Sequence, residues 1–274
     1  WYSDKATNSE ASQGDAEYSS SFMYFNNPED GARVTKGWFK VVPGYYLQES
    51  KYEDGDDYWY YADGNGKLYA NEIKSINGKK YAFDNYGRMI DGLALLQMEK
   101  DGDRFDSSDI YQKWADDSEY NYETGDDFDT TVADNAPQFA SGELRFYYFG
   151  DSDDGAMKTG KQTVSIDGED YTFKFKDSSS SKGAGILGKD DEKLYMAGKL
   201  VKADKDDKYQ VVLYDETTKI SQKIDTDEFI DDYCGEPDDS NEDETVWTVV
   251  ADKLEGKKAY LVNTSGSMVK NKSA

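Results

Sequence analysis

Short aromatic runs alternate with small or polar residues along this chain. Tyr81-Ala82-Phe83 and Tyr171-Thr172-Phe173 each set two rings on one face of an extended strand. Each run ends a longer matching segment. Ile76-Asn77-Gly78-Lys79-Lys80-Tyr81-Ala82-Phe83 aligns position by position with Ile166-Asp167-Gly168-Glu169-Asp170-Tyr171-Thr172-Phe173, and Leu254-Glu255-Gly256-Lys257-Lys258-Ala259-Tyr260 is a looser third copy. The three start 90 and 88 residues apart. Asn-Gly and Asp-Gly provide the paired positive φ angles of a two-residue hairpin turn. The pattern therefore predicts β-hairpins in three long modules, each with about two short units.

A second pattern pairs an aromatic doublet with a glycine and a large apolar residue two positions later. It runs Tyr60-Tyr61 to Gly66 and Leu68, Tyr81 to Gly87 and Met89, Tyr147-Tyr148-Phe149 to Gly155 and Met157, and Tyr260 to Gly266 and Met268. A divergent copy opens at Tyr24-Phe25 and reaches Gly31. The glycine lets the chain turn before Leu68, Met89 or Met157 re-enters the core. One hairpin is at best marginal in water, so stacking against neighbours is needed to bury the ring face. The expectation is an all-β, elongated, solenoid-like array of stacked hairpins, with irregular or short helical insertions.

The layout read from the pattern is hairpins over 1–96, an acidic connector over 97–143, and hairpins again over 144–189. Extended hairpins with an acidic insertion follow over 190–245, and a truncated module closes the chain over 246–274. Short helices are expected at Gln97-Met98-Glu99 and at Ile110 to Trp114. Ile220, Ile224 and Phe229 have loosely helical spacing within the stretch from Thr218 to Cys234.

Composition sharpens this. Leu, Ile, Val and Phe total 46 of 274 residues, which with a net charge of −25 falls in the range typical of disorder. The 40 aromatic residues oppose that reading, because disordered chains are poor in rings. The core is expected to be built from rings. Absence of histidine excludes Ser-His-Asp and Cys-His catalysis and His-based zinc sites. The single Cys234 excludes an intrachain disulfide and is read as a bystander thiol. The negative charge argues against nucleic acid, and no apolar run is long enough to span a membrane. Beginning at Trp1 and ending within a repeat, the sequence reads as a mature or trimmed segment of a longer protein.

At these repeats the sequence resembles the cell-wall-binding repeat family, the aromatic–glycine repeats of choline-binding and glucan-binding surface proteins of Gram-positive bacteria. The best matches are Trp59 through Gly92 and Phe146 through Gly160, with further copies at Gly31–Trp38 and Gly256–Met268. The resemblance implies a hairpin solenoid that attaches a secreted protein to wall polysaccharide or teichoic acid choline, with no chemistry of its own. In choline-binding members, a Gly-Trp tryptophan and rings of adjacent hairpins cage the quaternary ammonium, which ring faces attract. Here only Gly37-Trp38 keeps the pair; Leu93 follows Gly92 and Lys161 follows Gly160. One cage is implied, drawn from Trp38, Trp59, Tyr61 and Met89. Choline, a glucan, another wall polymer and a protein partner all remain open as its ligand.

Other features have plainer readings. Tyr60, Tyr81, Phe83, Tyr148, Phe149, Tyr171 and Phe173 are read as stacking core, while Trp38 and Trp59 suit core or ligand contact equally. The acidic runs fail the EF-hand pattern: counted from Asp151, positions six and twelve are Ala156 and Gln162, and from Asp101 they are Asp106 and Gln112. They are read as solvated loops, no cofactor is expected, and a weak calcium site stays open. No pair of carboxylates stands out for glycoside hydrolysis. The expected function is non-catalytic binding to cell-wall polysaccharide or teichoic acid by an extracellular, wall-associated monomer, with neither nucleic acid nor membrane insertion. The alternatives are an adhesin segment that binds a host glycan or protein, and the targeting region of a longer wall hydrolase.

Overall fold

A computed structural model describes residues 1–98, 111–114, 124–241 and 244–269. They form mostly strands in small antiparallel sheets, with few helices, and among them no sheet closes into a barrel. The chain divides into two compact units, Trp1–Asn121 with Leu144–Lys158, and Tyr122–Glu143 with Thr159–Ala274.

The first unit carries helices α1 (Ala16–Ser20) and α2 (Glu49–Asp54). Its strands are β1 (Gly37–Val41), β2 (Tyr58–Ala62), β3 (Glu72–Ile76), β4 (Lys79–Phe83), β5 (Leu93–Gln97), β6 (Tyr111–Trp114) and β7 (Leu144–Tyr148). They pair as β1-β2, β3-β4 and β6-β5-β7. Its ring core gathers Tyr18, Phe22, Phe39, Tyr60 and Leu68. Trp1 joins it: the indole lies 5.1 Å from the Tyr60 ring and its Nε1–H donates to the Val42 carbonyl at 2.8 Å.

The second unit holds α3 (Gly125–Asp134), α4 (Ala136–Ser141) and α5 (Thr226–Tyr233). Strands β8 (Gly160–Ile166), β9 (Glu169–Phe175), β10 (Gly188–Asp190), β11 (Lys193–Met196) and β12 (Lys199–Leu200) form one sheet in the order β10-β11-β12-β9-β8. Strands β13 (Tyr209–Tyr214), β14 (Ser221–Ile224) and β17 (Lys258–Asn263) form a second, and β15 (Asp238–Asn241) with β16 (Glu244–Val246) a third. Cys234 is buried beside Val211, Leu213, Ile224 and Phe229, as a packed thiol.

The dipeptide turns fold as read. Asn77-Gly78 (φ 50° and 82°) joins β3 to β4, and Asp167-Gly168 (φ 49° and 75°) joins β8 to β9. Glu255-Gly256 has the same pair of angles, but it follows a short 3-10 turn at Ala251–Leu254 and joins no two strands.

The aromatic–glycine units close with one recurring clasp. At Asp63, Asp84 and Asn263 a side-chain Oδ1 accepts the backbone N–H groups two and four residues on, at 2.7–3.0 Å. The same residue's carbonyl accepts from Gly66, Gly87 or Gly266. Asp and Asn suit this position because a short acceptor side chain can bond its own backbone two residues on. Lys36 and Asn71, both at positive φ, donate their N–H groups to the Asp63 and Asp84 carbonyls. Two further bonds run between hairpins: Met89 N–H to Trp59 O at 2.7 Å and Met157 N–H to Lys80 O at 2.8 Å.

Four readings need correction. Gln97 and residues 111–114 are strand, not helix: β5 pairs along both edges, with β6 and β7. Leu93 to Leu96 are all buried, and this run is the central strand of its sheet, with both edges paired. Glu99 and Ile110 lie outside the described residues. Ile220 and Ile224 are not on a helix; Ile224 ends β14, Asp225 caps α5, and only Phe229 packs from that helix. Leu68 enters the core at 3% exposure, whereas Met89, Met157 and Met268 are half-buried. Tyr60, Phe83, Phe149 and Phe173 are fully buried, while Tyr81, Tyr148 and Tyr171 are half-buried.

Candidate functional site

Alternation along β1 and β2 sorts the rings. Phe39 faces Tyr60 across the pair and both turn inward, leaving Trp38 opposite Tyr61 and Lys40 opposite Trp59 on the other face. On β4, Tyr81 and Phe83 flank the small Ala82. Trp38 is the hub of the resulting cluster. Its ring centroid lies 4.7 Å from Tyr81, 5.1 Å from Tyr61, 5.7 Å from Phe83 and 6.4 Å from Trp59. Tyr61 in turn stacks on Tyr69 at 5.6 Å with an interplanar angle of 3°. Each such ring pair is worth about 0.5–1.5 kcal/mol beyond the area it buries. Phe83 is fully buried beneath the cluster, while Trp38, Trp59, Tyr61 and Tyr81 stay half-exposed.

The structure thus brings three of the four expected residues, Trp38, Trp59 and Tyr61, into ring contact. Met89 reaches the cluster through its main chain, bonding Trp59 O, while its sulfur packs so closely on Gly155 that a Cβ there has no room.

Two charged residues complete the face. Trp59 Nε1–H donates to Asp153 Oδ1 at 3.4 Å, and Lys40 Nζ lies 3.4 Å from the same oxygen and 5.9 Å from the Trp59 ring centre. The Trp59 hydrogen bond, then Lys40, hold the Asp153 carboxyl below the usual carboxylate range. Sequence reasoning missed both residues. Asp153 sits in an acidic run read as solvated loop, and Lys40 alternates with the rings of β1 in a pattern that ordinarily means a solvent face. Among the described residues no group of three acidic or thiol side chains is gathered tightly enough to hold a metal ion, and no helix is long and apolar enough to cross a membrane.

The second unit contains an ion pair whose cation is buried. Lys199 Nζ is 2.8 Å from Asp129 Oδ2 and donates to the Gly125 carbonyl, with the Lys199 side chain 8% exposed. The ammonium also lies 4.9 Å from the Tyr171 ring centre. Burial pushes the Asp129 carboxyl up, and Lys199 opposes that shift.

No family model matches the chain, and no curated protein matches it. Among solved structures it is similar to choline-binding protein F from Streptococcus pneumoniae in its crystal form II, with 17% identity and a TM-score of 0.35 over 90% of this chain and 54% of that one. The choline-binding protein CbpF in complex with ipratropium gives 18%, 0.35, 90% and 56%. The modular autolysin LytC from Streptococcus pneumoniae gives 14%, 0.20, 91% and 52%. The chain spans about half the length of the protein in each of these three structures.

Proposed function

We propose that this chain is a non-catalytic attachment region of a secreted, wall-associated protein of a Gram-positive bacterium, and that it binds a cell-wall polymer at the Trp38 cluster. The observation that carries this reading is the convergence of four half-exposed rings from two successive hairpins on one face. Aromatic faces of that kind accept an organic cation or the apolar face of a sugar. The Lys40 ammonium over Trp59 illustrates the first preference. The recurring clasp, and the Met89 and Met157 bonds between hairpins, support a stacked, solenoid-like arrangement of the hairpins within the first unit.

Purified peptidoglycan, teichoic acid and host mucin provide the test. Retention on the wall fractions, falling at least about tenfold in Trp38→Ala and Trp59→Ala, is the expected result. Unchanged retention in both variants would sink the site and leave the rings as core. Stronger retention on mucin would favour the adhesin reading. Choline and a peptidoglycan analogue, present with similar solved structures, are the first competitors to add.

A further inference from the structure

We infer that the second unit carries a separate binding cleft for a neutral oligosaccharide, along one face of α3. The proposal goes beyond the ring site and uses none of its residues. The cleft has a volume of about 530 Å³, and a second pocket of about 770 Å³ at the start of the helix shares Asp126, Asp129, Val201 and Lys223 with it. Small-molecule sites span about 300–1,000 Å³. Asp126, Asp129, Thr130 and Ala133 line it at helical spacing, so one face of α3 forms a wall. Met196, Val201, Leu213 and Ile220 supply the apolar part of the opposite side.

The charge of the cleft sets it apart from the rest of the chain. Its carboxylates are Asp126, Asp129, Glu169, Asp204 and Asp215. Its ammonium groups are Lys199, Lys202, Lys205, Lys223 and Lys257, so five charges of each sign line it. The whole chain carries 57 acidic against 32 basic residues. A balanced lining within so acidic a chain selects against both cations and phosphate polymers. What it offers instead is a dense set of donors and acceptors beside apolar side chains. That combination fits a ring with hydroxyls on its rim and C–H groups on its face.

Two polar atoms in the walls point the same way. Asp129 Oδ1 and Ser221 Oγ are buried without a hydrogen-bond partner, and Ser221 is 5% exposed. Burying a polar atom without a partner destabilises the fold. A ligand hydroxyl that reaches either atom after a side-chain rotation recovers that cost. The second Asp129 oxygen is paired with Lys199 at 2.8 Å.

The test uses the full chain, isotope-labelled, with chitotetraose and cellotetraose as probes. Amide shifts at Thr130, Gln222 and Lys223 are expected on titration. Ala133→Trp, at an exposed helix position on the cleft wall, should weaken binding at least about tenfold while amides distant from the cleft keep their positions. Read at those three cleft amides, the affinity should be the same in Trp38→Ala, which removes only the ring site. Raising salt from about 50 to 500 mM should change it less than about twofold, because a neutral ligand offers no charge to screen. No shift with either saccharide overturns the proposal, as does wild-type affinity in Ala133→Trp. Shifts confined to Trp38, Tyr61 and Tyr81 and abolished by Trp38→Ala place the sugar on the rings, which supports the ring site and removes the cleft.

Discussion

The indole N–H of Trp59 is held by the carboxylate of Asp153, 94 residues further along the chain. That contact, shared with Lys40, fixes the rim of the ring cluster from a loop outside the hairpin that carries Trp59. Removing the N–H while keeping a ring, as in Trp59→Phe, should raise the Asp153 pKa toward the ordinary 3.8. A depressed carboxyl pKa contributes stability that is present above 3.8 and lost as pH falls through the lower folded value. The group is exposed, so the readout is a side-chain NMR titration rather than a melt. Identical titration in wild type and Trp59→Phe would show that the indole does not hold Asp153.

Asp84 does two jobs at 2% exposure. One oxygen clasps the Tyr86 and Arg88 amides, and the other takes the Arg88 guanidinium at 2.7 Å. Asp84→Ala should destabilise the first unit by about 3 kcal/mol or more, since it removes the buried carboxylate of the ion pair together with both clasp acceptors. Asp84→Asn keeps the clasp, as Asn263 does in its own turn, and should cost about 1–2 kcal/mol. Asp63→Asn, in a more exposed turn, should stay within about 0.5 kcal/mol. Near-UV circular dichroism of the rings during denaturant unfolding ranks the three; equal losses at 63 and 84 would contradict the distinction.

Gly155 sits at φ 56° against the Met89 sulfur. Gly155→Ala adds a Cβ to a left-handed residue and to a filled contact, for a combined cost of about 2–3 kcal/mol. Adding Met89→Ala should recover part of this, with a coupling of at least about 0.5 kcal/mol in a double-mutant cycle. Strict additivity would mean that the two residues do not meet.

Lys199→Met leaves the Asp129 carboxylate without its counter-ion. Burial already raises that pKa, and losing the ammonium should raise it further. For a carboxyl whose folded pKa is raised, the cost of charging is absent below the unfolded value and fully present above the folded one. Stability of the variant should therefore fall as pH rises from about 4 toward 7, more steeply than in wild type. A flat difference between the two across that range counts against the pairing.

Local chemistry in the sequence was enough to place the two-residue turns at Asn77-Gly78 and Asp167-Gly168, because φ > 0 at both positions is a property of the dipeptide. Ring alternation likewise marked Tyr60, Phe83 and Phe173 as core. What escaped was whatever depended on distant partners. Residues 111–114 look ambiguous over so few positions, and their pairing with the distant β5 makes them a strand. Trp1 enters the core because Gly44 leaves room beside its ring. Lys40 and Asp153 are 113 residues apart, and no spacing rule links them. Of the expected site, the Trp38, Trp59 and Tyr61 rings followed from the motif; the charged rim did not.

The pairing of β5 also sets an order of events during synthesis. Each clasped turn finds its partners within a few residues and can close as soon as it leaves the ribosome. Leu93 to Leu96 cannot: β6 pairs with one edge, but the strand on the other edge begins only at Leu144. Until that segment emerges, the most aliphatic run of the first unit has one open edge. The acidic stretch between them therefore travels with a nascent chain whose stickiest strand is still waiting, and its like charges keep neighbouring chains apart during that interval.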